Sequence, residues 1–296
     1  MNKCDIYFCK LNNLRKSFTL LLPYPSAKKH KVLIRQNRKF HNIHMGQRCF
    51  ILANGPSIQK ENLELLRGEN ILTVNQMIRN RTFVDLEPMY NFWADPAYFD
   101  EHMSDTAKQE FCNLFKETCS CNKRIINFVP YYAHEFIDNH NLSMDQVAYM
   151  DTSLRYYDGY DKEFDYSRLM TGFQNIVQYA IAMAIYMGFS DIYICGCDST
   201  GIITKINSML NKNIDKCYCY DLGQKGQEYV NSLLDHFSIE QQFAGWAHTF
   251  HLYEELSRYC KKRNITLVNC SKTTIIESLQ RKNLEDVINE KSYQKY

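Results

Sequence analysis

Apolar positions fall into short continuous runs, each cut off by a turn-forming residue. Cys49 to Ala53 stops at Asn54-Gly55-Pro56-Ser57, Ile71 to Val74 at Asn75-Gln76, and Tyr90 to Ala94 at Asp95-Pro96. Arg124 to Val129 ends at Pro130, Asp191 to Cys195 ends at Gly196-Cys197-Asp198, and Ile265 to Val268 is the last run. Consecutive apolar residues over this length predict strands buried on both faces. Helical spacing lies between them. Ile58 to Leu66 is closed by Gly68. A second helix opens at Thr171-Gly172, runs through Ile176, Tyr179, Ala180, Met183 and Met187, and is closed by Gly188; a third covers about Phe250 to Lys262. Tyr131 to Tyr166 is aromatic, acidic and aperiodic, and reads as loop-rich. Ser199 to Gln242 is polar, and no repeat is visible. The pattern predicts an α/β fold: a Rossmann-like parallel sheet with helices on both faces.

In such sheets ligands bind beyond the carboxyl ends of the strands. The residues expected there are Asn54, Gly55, Ser57, Asn75, Gln76, Asp95, Asp198 and Asn269. Each alone is an ordinary turn or cap residue. Together they form a ring rich in amides, which read nucleotide edges and ribose through paired donors and acceptors.

Composition narrows the class. The 296 residues are 45% hydrophobic with 11 Gly and 6 Pro, which excludes a disordered or collagenous chain. A net charge of +2 argues against a nucleic-acid partner. That total hides an asymmetry. Residues 1–48 carry eleven Lys and Arg against the single acid Asp5, so a +10 arm precedes a −8 body. The expected organisation is a basic arm over 1–46, a domain over 47–280 and a tail over 281–296. The arm's apolar insert, Phe18 to Leu22, is too short to span a bilayer, and with the cations it predicts contact with an anionic membrane surface. The rival expectation is a leader that packs on the domain. Twelve cysteines without zinc-type spacing read as small buried residues in a reducing cytosol, and Cys195 and Cys197 are expected on one strand face.

Missing motifs matter too. The chain has no Gly-x-Gly-x-x-Gly, no Walker-type loop and no Asp-x-Asp. Paired carboxylates commonly hold the metal that neutralises a diphosphate leaving group. A monophosphate can be met by hydroxyls, amides and a helix N-terminus. The expectation is therefore a metal-free monophosphate leaving group.

At this point Leu52-Ala53-Asn54-Gly55-Pro56-Ser57, Val74-Asn75-Gln76 and Asp95-Pro96 resemble the bacterial sialyltransferases of glycosyltransferase family forty-two. They are also similar to related sialyltransferase-like domains, among them the hydroxymethylpterin diphosphokinase-like family. The similarity continues through Arg168-Leu169-Met170-Thr171-Gly172, Asp191 to Asp198, Gly245-Trp246-Ala247-His248 and Ile265 to Asn269. It implies a GT-A variant of the Rossmann-like fold with a mobile lid over about 199–247. It further implies a donor activated by cytidine monophosphate (CMP), no cofactor, and an inverting transfer to a cell-surface glycan such as lipooligosaccharide or capsule. Such an acceptor implies a lipid-linked precursor and an enzyme peripheral to the inner face of the membrane. An oligomer is compatible with it.

Carried over by position, the resemblance sets Asn54, Gly55, Ser57, Asn75, Gln76, Asp95, Arg168, Thr171, Gly172 and Asp198 around the donor. Thr171 and Gly172 would open a helix whose free amides hold CMP. His248 takes the catalytic base position, with His251 one turn on as the alternative; a neutral histidine suits removal of a hydroxyl proton. Tyr218 and Tyr220 are candidates for a lid tyrosine on the leaving phosphate. Thr200 stands where a second would be expected, and Asp95 replaces an Asn, so the donor sugar need not be sialic acid. Two other readings remain open: a pterin diphosphokinase working on Mg-ATP, and a sugar-nucleotide-binding module without turnover.

Overall fold

The computed structural model describes residues 1–19, 21–22, 25–80, 82–100, 102, 104–142, 144–210, 218–219 and 238–293. Five strands come first: β1 (Arg48–Leu52), β2 (Asn70–Val74), β3 (Tyr90–Phe92), β4 (Ile126–Pro130) and β5 (Val147–Met150). A small separate pair follows, β6 (Leu154–Arg155) with β7 (Thr171–Gly172). The main sheet is completed by β8 (Asp191–Cys195), β9 (Thr266–Asn269) and β10 (Gln280–Arg281). Its order is β10-β9-β8-β1-β2-β3-β4-β5, and every pairing is parallel. The chain winds outward from β1 to β5, then returns to the other side of β1 as β8. The switch point between β1 and β8 is where a doubly wound sheet opens a crevice.

Alternation along β1 shows why both faces need cover. Cys49, Ile51 and Ala53 enter one apolar cluster, and Phe50 and Leu52 enter the other. On the first face lies α6 (Ile176–Tyr186), apolar nearly all round and packed across β1 to β3, which is the composition of a helix buried on all sides. Beside it runs α8 (Ile239–Lys262), reached through α7 (Gly201–Met209). The second face is covered by short turns at 56–60 and 63–66, by α3 (Phe83–Leu86) and by α9 (Leu284–Tyr293). A third cluster forms under α4 (Asp105–Cys121) and α5 (His134–Asn139), around Trp93, Phe111 and Phe115.

Several boundaries differ from the expectation. The predicted helix 58–66 is two 3-10 turns, started by Pro56 and cut by Asn62. The segment 131–166 contains α5 and β5, the edge strand of the sheet. The described part of the expected tail, 281–293, is built into the fold: β10 pairs with β9, and Leu284 and Val287 are buried in the second cluster. The core also reaches back before residue 47, since Ile34, Asn37 and Phe40 are buried and Asn37 donates to the carbonyls of Tyr149 and Tyr166. Cys195 and Cys197 are both buried but in opposite clusters, because the strand ends at Cys195 and Gly196 turns the chain at φ +68°.

The basic arm is helical. α1 (Lys3–Thr19) lies along β6, where the Asn13 amide pairs with the Arg155 backbone by two 2.8 Å hydrogen bonds. α2 (Pro25–Arg35) covers β5 and is tied down by the His30–Asp151 pair and by stacking of His30 on Tyr131 at 3.7 Å. Among the described residues no helix is long and apolar enough to cross a membrane.

Candidate active site

The β1 and β8 turns are joined at the switch point by contacts that run through two glycines. Gly55 N–H donates to the Gly196 carbonyl at 2.7 Å, and Ala53 N–H donates to the Cys195 carbonyl at 2.8 Å. Asp198 is buried against this junction. One carboxylate oxygen accepts from Ser57 N–H at 2.8 Å, and the other accepts from the Ser57 hydroxyl. Burial raises the Asp198 pKa above its ordinary 3.8, opposed by the two Ser57 donors and by Lys60. Ser57 and Asp198 thus spend their polar groups on each other, and the Gly55 N–H is spent on Gly196. These three residues shape the crevice wall.

Asn54 and Asn75 stand at the ends of adjacent strands. The Asn54 amide donates to the Val74 carbonyl at 3.1 Å, and its own carbonyl accepts from Cys219 N–H at 2.9 Å. The segment Tyr218–Cys219 therefore docks on the β1 turn, held also by Gln59, with Tyr218 half-buried against the second cluster. Tyr220 lies outside the described residues. Asn75 adopts the left-handed conformation at φ +49°, tolerable for Asn because a short amide can bond locally. Its N–H donates to the Phe92 carbonyl, its own carbonyl accepts from the Asn91 amide, and its Oδ1 is buried without a hydrogen-bond partner among the described residues. A buried acceptor left so costs roughly 1–3 kcal/mol, which a ligand hydroxyl or amino group would relieve. Gln76 is engaged, donating to the Tyr98 hydroxyl at 3.3 Å and accepting from Arg79 at 2.7 Å. Asn269 is buried between Cys197, Thr274 and Ser271.

Four expected donor residues lie differently. Thr171 and Gly172 do not open a helix: they form β7, because Leu154 and Arg155 offer a parallel edge to pair with. The helix α6 begins later, where Asn175 can cap it. Gln178 N–H donates to the Asn175 side chain at 3.1 Å, and the Gln178 side chain accepts from Gln174 and Asn175 N–H. Those amides are satisfied by protein. Asn175→Ala should lower stability by about 1 kcal/mol through loss of the cap, readable in a urea titration; an unchanged midpoint would contradict the capping role. Arg168 is on the surface in an ion pair with Asp165 at 3.0 Å. Asp95 is exposed at the end of β3, near Tyr132, whose hydroxyl pKa is raised by burial and then by the Asp95 charge.

α8 carries the histidines. It begins at Ile239, eleven residues before the expected start, under a capping box of Ser238 and Gln241. Gly245-Trp246-Ala247-His248 is therefore inside the helix, and Trp246 lies over Gly201 at the start of α7. His251 Nε2 meets Asp158 Oδ1 at 2.8 Å, and the other Asp158 oxygen holds the Met1 amino group. Burial alone would raise the Asp158 carboxyl, but these two partners outweigh it and hold it below 3.8. His248 is exposed on one side, yet partial burial lowers its pKa below 6.5; neighbouring His251 adds to this and Asp158 opposes it. Asp158 is the partner of the candidate histidines that the sequence did not mark, since Asp158-Gly159 reads as a plain turn.

Tyr253 ties this helix to the crevice. Its hydroxyl lies 3.1 Å from both the Cys197 sulfur and the Asn175 amide. His248 is five positions earlier on the same helix, about 7.5 Å along the axis at 1.5 Å per residue. At 3.6 residues per turn it is turned about 140° around the helix from Tyr253, and the groups that act on it are His251 and Asp158. No protein-family model matches this sequence, and no curated protein matches it.

Proposed function

We propose that the chain is a metal-independent, inverting glycosyltransferase. It moves a sugar, sialic acid or a related nonulosonate, from a CMP-activated donor to a cell-surface glycan acceptor. The observation that carries this reading is the histidine pair on α8: His251 engaged by Asp158, and His248 with its pKa held down, on the helix whose Tyr253 reaches Cys197 just after β8. A base must be unprotonated before it acts, and the lowered pKa keeps His248 so at neutral pH.

In this reading the acceptor hydroxyl gives its proton to His248 as its oxygen attacks the anomeric carbon. The bond to the CMP phosphate breaks on the opposite face, so configuration inverts. Asn75 Oδ1 accepts a hydroxyl or amino group of the donor. Tyr218 offers its hydroxyl to the departing phosphate, with Tyr220 close in sequence. Gly55, Ser57 and Asp198 hold the wall against which the nucleotide lies. The lack of any Asp-x-Asp supports a reaction without a bound divalent ion.

Thermal unfolding with cytidine, uridine, guanosine and adenosine nucleotides, with and without magnesium, tests the donor class. CMP at a hundred times its Kd should stabilise by about 2.7 kcal/mol, and transfer should survive chelator. Stabilisation by Mg-ATP alone with chelator-sensitive turnover would assign the diphosphokinase chemistry instead. Donor binding without transfer to any acceptor would leave a binding module.

A further inference from the structure

The outer face of α1 carries an apolar stripe that the fold leaves uncovered. Tyr7, Leu11, Leu14 and Phe18 are each between 45 and 61% exposed, and Leu21 and Leu22 beyond the helix are exposed as well. At 3.6 residues per turn the four fall within roughly 60° of the helix circumference. Lys3 borders the stripe on one side and Arg15 on the other, while the Lys10 ammonium turns back over the Tyr157 ring of the domain at 5.0 Å. The opposite face is the one that meets the protein: Ile6 and Cys9 pack on the first core cluster, and Asn13 and Lys16 bond the backbone at 153–155. The single acid of the arm, Asp5, lies near that inner side. Packing against the domain thus fixes which face of α1 points outward.

We propose that this face of α1 docks on an anionic lipid surface, with the helix lying in the interface. Apolar side chains rimmed by cations are the composition of an interfacial helix. Spacing of four, three and four residues would also suit a coiled-coil seam with a second copy. Charge decides between them. Two such faces would set Lys3 and Arg15 against the same cations, with no acid of α1 at the rim to pair with them, whereas anionic headgroups complement both. The proposal goes beyond the transferase reading and does not depend on turnover. Combined with that reading it supports a lipid-linked acceptor, since Met1 at the start of α1 touches Asp158, the partner of His251.

Sedimentation of the full chain with phosphatidylcholine–phosphatidylglycerol vesicles, against phosphatidylcholine alone, tests it. Binding is expected only to the anionic vesicles and should weaken as salt rises. Leu11→Asp with Leu14→Asp should cut partition at least about tenfold, from lost apolar burial. Lys3→Gln with Arg15→Gln should cut it roughly thirtyfold. Circular dichroism melting of both variants should match the parent, because the Leu and Lys side chains replaced are exposed. Equal binding to neutral vesicles, or partition unchanged in the variants, would overturn the proposal. So would a parent dimer that the Leu variant dissolves, with no vesicle binding by the parent; that result would assign the face to a second copy.

Discussion

Gly196→Ala should leave the protein close to unfolding, with a loss of about 4 kcal/mol or more, at the extreme of single substitutions. Two penalties coincide there. Gly196 sits at φ +68°, where a side chain is strained, and a Cβ would stand 2.6 Å from the Ala53 carbonyl and 2.8 Å from Ile58 Cβ. Gly55→Ala should approach the same cost for a different reason. Its φ of −67° is ordinary, but a Cβ would meet the Gly196 carbonyl at 2.4 Å and Asp198 Cγ at 2.6 Å. Neither neighbour is the end of a flexible chain, so the β1 and β8 turns would have to part and Ser57 would lose Asp198. Gly68→Ala is the control: φ is +79°, but nothing lies within 4 Å of the added carbon, and its cost should be about 1 kcal/mol. Urea midpoints of the three variants make the comparison. Equal losses at Gly196 and Gly68 would show that the close approach at the switch point carries no weight.

His248→Ala should lower transfer by roughly 10²–10⁴, the range for a positioned general base, while CMP still stabilises the protein against heat. The pH profile gives an independent reading. Burial and then His251 depress the His248 pKa from 6.5, so the active, unprotonated form persists below that value and the acid limb of kcat/KM should fall on its acid side. His251→Gln removes one depressing neighbour and should move the limb upward. If His251 is the base, the pattern inverts: His248→Ala keeps most activity and His251→Ala loses it. Unchanged turnover in both would remove the histidines from the chemistry.

The sequence resolved what is local. Asp191 to Cys195 is a strand with the expected bounds, because a β-branched and aromatic run between Gly188 and Gly196 has few other solutions. The carboxyl ends of β1, β2 and β8 carry the amides and carboxylate expected of them. Illegible features were set by distant partners. Val147–Met150 is only four residues in a polar setting and becomes a strand through pairing with β4. The first turns of α8 are exposed and lack apolar periodicity. Thr171 pairs with Leu154, Ser57 bonds Asp198 and Asp158 meets His251, each across a stretch of chain that no local pattern bridges. The docking of α1 required the bidentate contact of Asn13 with Arg155 before the outward stripe could be told from the inward one.

The parallel winding of the sheet has a consequence for how the chain is made. Phe50 of β1 pairs with Ile71 on one side and with Tyr193 on the other. A ribosome releases the first neighbour early and the second only after some two-thirds of the chain has emerged. Until then the strand at the centre of the finished sheet is an edge, apolar on both faces and with unpaired amides along its length. Exposed edges of this kind template pairing with other chains, and parallel sheets with distant partners assemble slowly. Residues 150–195 are therefore the last interval of synthesis over which this edge stays open. A variant that weakens β8 pairing should raise the aggregated fraction on synthesis, read by centrifugation of the translation mixture.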